Sequence, residues 1–293
     1  MSEKTTPATS IARPKIPQYS HVLEHETTGT GRQYVDTEGL WYPSVTTSLS
    51  GYQDKHCLWL SAWKERLGEE AANAIRDAAS ARGTAAHNDL EAKFTHPDHT
   101  ITSPFAEIAY KDFFSKVELV SMEEPLMFQG DYEGQPVRVA GRYDALVKIS
   151  KETFNFSNAS YGLREGIYLV DLKTKEKTPR VDSLEAVFKN ALQASAYYKM
   201  LTCRGETLKG FIVVYATVLK TKSYTKLIYF EPTVLDILWD KIMYPLLLDY
   251  HGYKEYNLAW MQSIRYACDT ASNVFGVYSS CLHYLLEPCV STS

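Results

Sequence analysis

The sequence lacks the features of membrane-spanning and secreted proteins. No apolar run approaches the roughly 18 to 20 residues needed to cross a bilayer, and residues 1–20 contain no apolar core of a secretory signal. We therefore expect an intracellular protein with no membrane contact. The absence of a clear amphipathic presequence favours a phage-encoded or cytoplasmic protein and leaves a mitochondrial one open.

Closely spaced cysteines are also lacking. The five cysteines form no CxxC pair, so free, mostly buried thiols are expected rather than a disulfide framework. An iron–sulfur cluster needs a tighter group than Cys268, Cys281 and Cys289 provide. No iron–sulfur cluster is expected.

An excess of positive charge is absent from the whole chain, whose net charge is −4. Residues 171–226, however, carry eleven Lys or Arg against five acids, which leaves −10 for the remainder. A basic segment on an acidic body suits an anionic ligand such as a nucleic-acid backbone. A solvated lysine-rich face explains the same pattern equally well.

Composition divides the chain into four parts. Residues 1–18 are rich in Thr, Ser and Pro and predict a flexible segment. Residues 19–118 predict a short hairpin and then a helical block with a break near Gly83. Residues 119–252 predict the core of the fold, and residues 253–293 form an extension of unknown role.

The core region predicts an α/β fold, with a mixed central β-sheet flanked by helices. Short β-branched and aromatic runs predict its strands. They lie at residues 118–128, 136–149, 166–174, 208–218 and 225–232. Helical patterns at 183–201 and 233–251 supply the crossover and a last helix.

The stretch VDLKTKEK at 170–177 carries the first candidate chemistry. Side chains at i and i+2 share one face of a strand, so Asp171 and Lys173 should lie side by side. An adjacent antiparallel strand could bring Asp144 beside them. Carboxylates hold Mg²⁺ or Mn²⁺, and a lysine can orient or deprotonate a water that attacks a phosphodiester. The Asp–Lys pair alone is more often a simple ion pair.

Two helical pairs extend this pattern. His87 and Glu91 are four residues apart on one predicted helix, where they could complete a metal site or hold its waters. Gln193 and Tyr197 have the same spacing on the helix after the Asp–Lys strand. Each pair alone is also typical of an ordinary helix surface or core.

Six stretches occur in an order that resembles a known family: YPSVTTSLS, LSAWKERLGEEAA, RGTAAHNDLE, GRYDAL, VDLKTKEK and NALQASAYYKML. The G-x-x-D, D-x-K and Q-x-x-x-Y elements are similar to the PD-(D/E)XK nuclease superfamily, and the upstream G-x-x-x-H resembles its RecB-type branch. The match is closer still to the mitochondrial genome maintenance exonuclease family and its phage-like relatives. It spans about residues 34–250, and residues 253–293 have no counterpart.

The resemblance implies a Mg²⁺ or Mn²⁺ site in a restriction-endonuclease-like core, which would occupy residues 119–252. Asp144, Asp171 and the carbonyl of Leu172 would ligate the metal, and His87 would contribute to the site. Glu91 would support it.

The same resemblance implies catalytic and DNA-binding roles. Lys173 would be the catalytic lysine, Gln193 would position it or the water, and Tyr197 would lie against the scissile phosphate or sugar. The residues expected to contact DNA are Ser44, Thr46, Lys175 and Tyr197. Ser44 has an equally good interpretation as a helix N-cap.

The function implied by the resemblance is a metal-dependent DNA exonuclease that prefers single-stranded ends or flaps. Its DNA would pass beneath an N-terminal helical arch, for which residues 52–118 are the candidate. The alternatives are a structure-specific endonuclease of the same superfamily and a nucleic-acid-binding protein without catalysis. DNA is the expected partner, and the sequence indicates no particular protein partner.

Overall fold

The computed structural model describes residues 23–27, 31–56, 58–150, 163–179, 184–254 and 277–278. The predicted flexible segment 1–18 lies outside these residues, as does nearly all of the extension 253–293. The three cysteines of the extension also lie outside them. The expectations for these parts remain predictions.

The N-terminal region begins with a three-stranded antiparallel sheet. Its strands pair in chain order, and they are β1 (Leu23–Thr27), β2 (Gly31–Val35) and β3 (Trp41–Pro43). Helix α1 (Val45–His56) follows immediately. The Ser44 hydroxyl accepts the backbone N–H of Thr47 at 3.0 Å, which makes Ser44 the N-cap of α1.

Three further helices form the predicted helical block: α2 (Leu58–Leu67), α3 (Glu69–Thr95) and α4 (Pro104–Asp112), the last followed by a 3₁₀ turn at Phe114–Lys116. The predicted break near Gly83 is wrong, because α3 runs unbroken through that residue. Its alanine-rich neighbours favour the helix, and one glycine costs only about 1 kcal/mol there. The chain bends instead at Gly68, whose φ of 82° suits glycine.

A buried carboxylate fastens α3 to the start of α4. Asp89 accepts the backbone N–H groups of Thr102 at 2.9 Å and Ser103 at 2.5 Å, and it lies 2.9 Å from His99 Nε2. Burial alone would raise the pKa of Asp89, but these hydrogen bonds lower it to about 2. Asp89 therefore stays ionised and acts as a structural link between the two helices.

Within the described residues, the central sheet has six strands. In chain order they are β4 (Glu118–Met122), β7 (Ala145–Ile149), β8 (Gly166–Lys175), β9 (Leu208–Val218), β10 (Ser223–Phe230) and β11 (Val277–Tyr278). Their order across the sheet is β11-β10-β9-β8-β7-β4. Between β4 and β7, β5 (Pro125–Tyr132) and β6 (Gln135–Arg142) form a separate antiparallel hairpin. The β8–β9 and β10–β11 pairs are parallel and the other pairs of the central sheet are antiparallel. The predicted mixed central sheet is confirmed.

The remaining helices follow the predicted positions. Helix α5 (Leu184–Cys203) connects β8 to its parallel neighbour β9. After β10 come α6 (Pro232–Leu238), a π-helical segment (Trp239–Met243) and α7 (Tyr244–Tyr250). They occupy the stretch for which a single helix was predicted.

Two predicted strands are each divided in the structure. The run 118–128 becomes β4 and β5, and the run 136–149 becomes β6 and β7. The divisions fall at Glu123, with φ of 52°, and at Tyr143–Asp144. They lie side by side, since the Glu123 N–H donates to the Asp144 carbonyl at 3.0 Å. Glu123 and Asp144 therefore both lie at the junction between the β5–β6 hairpin and the central sheet.

The central sheet has a buried core on each face. Alternate residues of β9 point to opposite sides, so that Val213 packs in the cluster with α5, α6 and α7, whereas Val214 packs in the cluster with α3 and α4. Leu169 belongs to the first cluster and Leu172 to the second. The mixed sheet is thus flanked by helices on both sides.

Among the helices of the described ranges, none combines the length and apolarity needed to span a bilayer.

Candidate active site

A cavity of about 1230 Å³ lies where α1, α3, α5 and the end of β8 meet. It brings together ten of the eleven residues singled out from the sequence. These are Ser44, Thr46, His87, Glu91, Asp144, Leu172, Lys173, Lys175, Gln193 and Tyr197. The eleventh, Asp171, is 2% exposed and is not among the residues that line the cavity.

A group of metal-ligand types lies in this cavity. One ligand atom each from His87, Glu123 and Asp144 lie within 4.8 Å of one another. His87 Nδ1 is 3.0 Å from Glu123 Oε1, and His87 Nε2 is 3.6 Å from Asp144 Oδ2. The carbonyl oxygen of Leu172 is 3.3 Å from His87 Nε2. We call these four residues the donor group.

Sequence reasoning missed Glu123. The residue belongs to no recognised motif and lies in a run that was interpreted as one strand. The signal was present in the pair Glu123–Glu124 followed by Pro125, since a proline inside an apolar run argues against a continuous central strand. Tertiary structure then carries the Glu123 side chain to His87, 36 residues away in the chain.

Asp144 enters the site through strand pairing. Strand β7 pairs antiparallel with β8 so that Ala145 opposes Val170, which places Asp144 next to Asp171. The Asp144 carboxylate accepts the backbone N–H of Leu172 at 2.6 Å. The predicted approach of the two carboxylates is therefore present, and the antiparallel register is its cause.

Asp171 and Lys173 lie on one face of β8, as the strand period predicts. The Lys173 ammonium donates to Asp171 Oδ1 at 2.7 Å and to Gln193 Oε1 at 3.3 Å. The Gln193 amide in turn donates to the Tyr197 hydroxyl at 3.4 Å. The other oxygen of Asp171, Oδ2, is buried and has no hydrogen-bond partner within the described part of the chain.

The buried charges act on one another. Burial lowers the pKa of His87, but Asp144 and Glu123 outweigh it and raise that pKa to about 9. Burial raises the pKa of Asp171 to about 6, although Lys173 opposes the change, and burial also raises the pKa of Asp144. Two carboxylates are thus held where ionisation is costly, and a divalent cation would relieve that cost.

Tyr197 is placed by a close backbone approach. Its ring packs against Gly141 so tightly that a Cβ atom there would collide with it. This contact explains why the GRYDAL motif has a glycine at position 141, because only a residue without a side chain fits there. Tyr197 is 5% exposed and burial raises its pKa, so it remains a neutral phenol at the cavity wall.

Ser44 and Thr46 line the cavity differently. Ser44 is 3% exposed, and its hydroxyl accepts the Thr47 N–H, which confirms its N-cap role. Thr46 is exposed, and its hydroxyl lies 2.9 Å from that of Ser44. Glu91 is also exposed at the cavity wall and does not belong to the donor group. The predicted DNA contacts of Ser44 and Thr46 and the supporting role of Glu91 remain predictions.

Among the described residues that line the cavity, basic side chains outnumber acidic ones. The basic ones are Arg32, Arg82, Arg142, Lys173, Lys175, Lys177 and Lys189, and the acidic ones are Glu91, Glu123, Asp144 and Glu176. Only four of the eleven cations of segment 171–226 are among them. The interpretation as an anion-binding surface therefore applies to this part of the basic segment, at the end of β8 and on α5.

No family model matches the chain, and no curated protein matches it. Among solved structures, SSO0001 is 14% identical, with a TM-score of 0.34 over 74% of this chain and 80% of that chain. A protein from Eubacterium rectale named "Putative exonuclease" is 16% identical, with a TM-score of 0.39 over 60% of this chain and 69% of that chain. At TM-scores below 0.5, these likenesses support no conclusion about activity, and the family expected from the motifs remains a prediction.

Proposed function

We propose that this protein is a Mg²⁺- or Mn²⁺-dependent DNA exonuclease that hydrolyses phosphodiester bonds and prefers single-stranded ends or flaps. The observation that carries the proposal is the convergence, in one basic cavity, of the donor group with the Asp171–Lys173–Gln193 chain. These groups come from α3, α5, β8 and the junctions that flank β4 and β7. If Asp171 and Lys173 formed only an ordinary ion pair, the other groups would have no reason to converge on them.

The residues present fit a hard divalent cation. Two carboxylates and a backbone carbonyl offer the oxygen ligands that Mg²⁺ and Mn²⁺ prefer, and imidazole nitrogen is compatible with Mn²⁺. The buried Asp171 Oδ2 without a hydrogen-bond partner is the further sign, since buried carboxylate oxygens are normally bonded. The residues that would hold the ion are His87, Asp144, Asp171 and Leu172 through its carbonyl, and Glu123 would either ligate the ion as well or orient His87.

The bound ion would supply Lewis-acid polarisation of the phosphodiester and activation of a water molecule. Lys173 has three N–H donors, of which Asp171 and Gln193 accept two, so one remains for a water or a phosphate oxygen in the cavity. Attack of the water on phosphorus would form a new P–O bond while the P–O bond to the leaving oxygen breaks. The water gives up a proton and the leaving oxygen takes one up, so that one product carries a phosphate and the other a hydroxyl. Lys173 would stabilise the negative charge that develops on the phosphate oxygens in the transition state.

Gln193 and Tyr197 keep this arrangement in place. Gln193 accepts from Lys173 and donates to Tyr197, so it sets the direction of the lysine side chain. Tyr197 would present its ring and hydroxyl to the sugar or phosphate. Its position depends on the contact with Gly141.

DNA as the substrate is supported by the surplus of basic side chains around the cavity, because phosphate neutralisation dominates nucleic-acid affinity. The preference for single strands and for ends is supported by the motif resemblance. Helix α3, which is part of the candidate arch, lines the cavity with residues from Ile75 to Glu91.

The test is a time course on 5′-labelled linear and on circular single-stranded DNA, with Mg²⁺, Mn²⁺ or EDTA. Metal-dependent loss of the linear substrate alone is the expected result. Cleavage of the circle would identify an endonuclease. Binding without cleavage of either substrate would identify a nucleic-acid-binding protein and refute the proposed catalysis.

A further inference from the structure

Among the described residues, none forms a hydrogen bond or ion pair with the Lys175 ammonium, and Asp171 acts on it only from a distance. This ammonium is half-buried at the cavity wall and lies 5.7 Å from the centre of the Tyr215 ring. Partly buried charges are normally compensated, so the cavity presents a cation ready for an anion from outside the protein.

Arg82 lines the same cavity as Lys175 and is held by three contacts. It is close enough to Lys175 to act on its charge: burial lowers the pKa of Lys175, and the neighbouring Lys173 and Arg82 lower it further. The Arg82 guanidinium lies 5.4 Å from the centre of the Phe105 ring, and its Nε lies 3.4 Å from Thr174 Oγ1. Its third partner is Glu176, at 2.8 Å between Nη1 and Oε2. The arginine side chain is 19% exposed, whereas that of Glu176 is 65% exposed. The acid can therefore leave for solvent while the arginine stays in position.

We propose that Lys175 and Arg82 form a phosphate subsite beside the catalytic centre, and that Glu176 occupies Arg82 as an intramolecular competitor until a substrate phosphate displaces it. The inference rests on the proposed function and adds a regulatory contact to it. Lys175 lies two residues beyond Lys173 on β8, about 6 to 7 Å along the strand. The subsite would thus bind the phosphate that neighbours the scissile phosphate on the same DNA strand.

The exchange has a physical basis. A guanidinium binds a phosphate through two parallel N–H donors, which a flexible exposed carboxylate does less well. A phosphate between Arg82 and Lys175 meets two cations, whereas Glu176 bonds to one of them. Ion pairs with an exposed partner are weak, so displacement costs little.

The experiment is fluorescence anisotropy of a labelled single-stranded oligonucleotide with the full chain in EDTA, over a series of salt concentrations. Lys175→Gln is expected to weaken binding and to lower the slope of log K against log salt by about 0.7. Glu176→Gln is expected to tighten binding about 2- to 5-fold. In an Arg82→Gln background, Glu176→Gln should no longer tighten it to that extent.

This double-mutant cycle distinguishes two effects of Glu176→Gln on DNA affinity. One is the release of Arg82 from its ion pair, and the other is the weaker electrostatic repulsion of DNA after the loss of one negative charge. Equal tightening in both backgrounds would overturn the displacement, as would unchanged affinity on Glu176→Gln. Glu118→Gln is the matched control, since Glu118 is exposed and pairs with Lys148 at 3.2 Å away from the cavity. It should leave affinity unchanged.

The two proposals fail in different ways. Absence of oligonucleotide binding in EDTA would overturn the subsite, even if Mg²⁺ supports cleavage. If Lys175→Gln, Glu176→Gln and Arg82→Gln change oligonucleotide binding as expected but the protein cleaves no DNA in Mg²⁺ or Mn²⁺, the subsite would be supported and the exonuclease refuted.

Discussion

Replacing Glu123 by Gln tests the donor group at the residue that the sequence did not reveal. The amide keeps the size of the side chain and removes its negative charge. Glu123 Oε1 lies 3.0 Å from His87 Nδ1, so the residue either ligates the ion or orients the imidazole that does. Both roles make the same prediction for metal affinity.

The expected loss follows from that contact. Removal of a partner that orients a metal-binding histidine typically costs 10- to 100-fold in metal affinity, which is about 1.4 to 2.8 kcal/mol. We expect the Glu123→Gln variant to need correspondingly more Mn²⁺ for half-maximal cleavage. The rate at saturating Mn²⁺ should fall less than the affinity.

The assay combines calorimetric Mn²⁺ titration of the full chain with the Mn²⁺ dependence of cleavage. Glu124→Gln is the matched control, because Glu124 is the neighbouring acid but accepts the Tyr143 hydroxyl at 2.8 Å and lies outside the donor group. It should leave Mn²⁺ affinity unchanged. Wild-type Mn²⁺ affinity in Glu123→Gln would refute the assignment of Glu123 to the metal site.

Three further predictions concern catalysis and stability. Lys173→Ala should abolish cleavage of labelled single-stranded DNA while oligonucleotide binding survives, and full activity would contradict the proposed role. Gly141→Ala should lower the free energy of unfolding by about 1 to 3 kcal/mol, because the added Cβ collides with Tyr197. Its control, Gly83→Ala, should raise that free energy by about 0.5 to 1 kcal/mol, since its Cβ meets nothing within 4 Å in a continuous helix; urea denaturation measures both. Asp89→Asn should lower it by about 2 kcal/mol at pH 7. The pKa of Asp89 lies near 2 in the folded protein, below its ordinary value of 3.8. The difference in free energy of unfolding between wild type and Asp89→Asn should therefore be complete above pH 4 and disappear as the pH falls through about 2. A pH-independent difference would contradict the argument.

The local features of the site were predictable from the sequence. Asp171 and Lys173 share a face because the strand period is a property of the backbone itself. Gln193 and Tyr197 meet for the same reason on a helix, where residues four apart are neighbours. The order of strands and helices in the core also followed from apolar period and turn residues.

The errors arose where a local pattern has two outcomes. A glycine in a helical run can end a helix or be carried through it, and the alanine-rich surroundings of Gly83 decide for the latter. An apolar run of eleven residues can be one strand or two. The turn at Glu123 makes it two, which belong to different sheets.

The sequence by itself determined which side chains were available and which of them share a face within one element. Only the tertiary structure decided which elements meet. The register of β7 on β8 brings Asp144 to Leu172, and the adjoining strand junctions bring Glu123 to His87. These contacts depend on strand pairing and helix packing between distant segments, whose free energy belongs to the whole core and to no single motif.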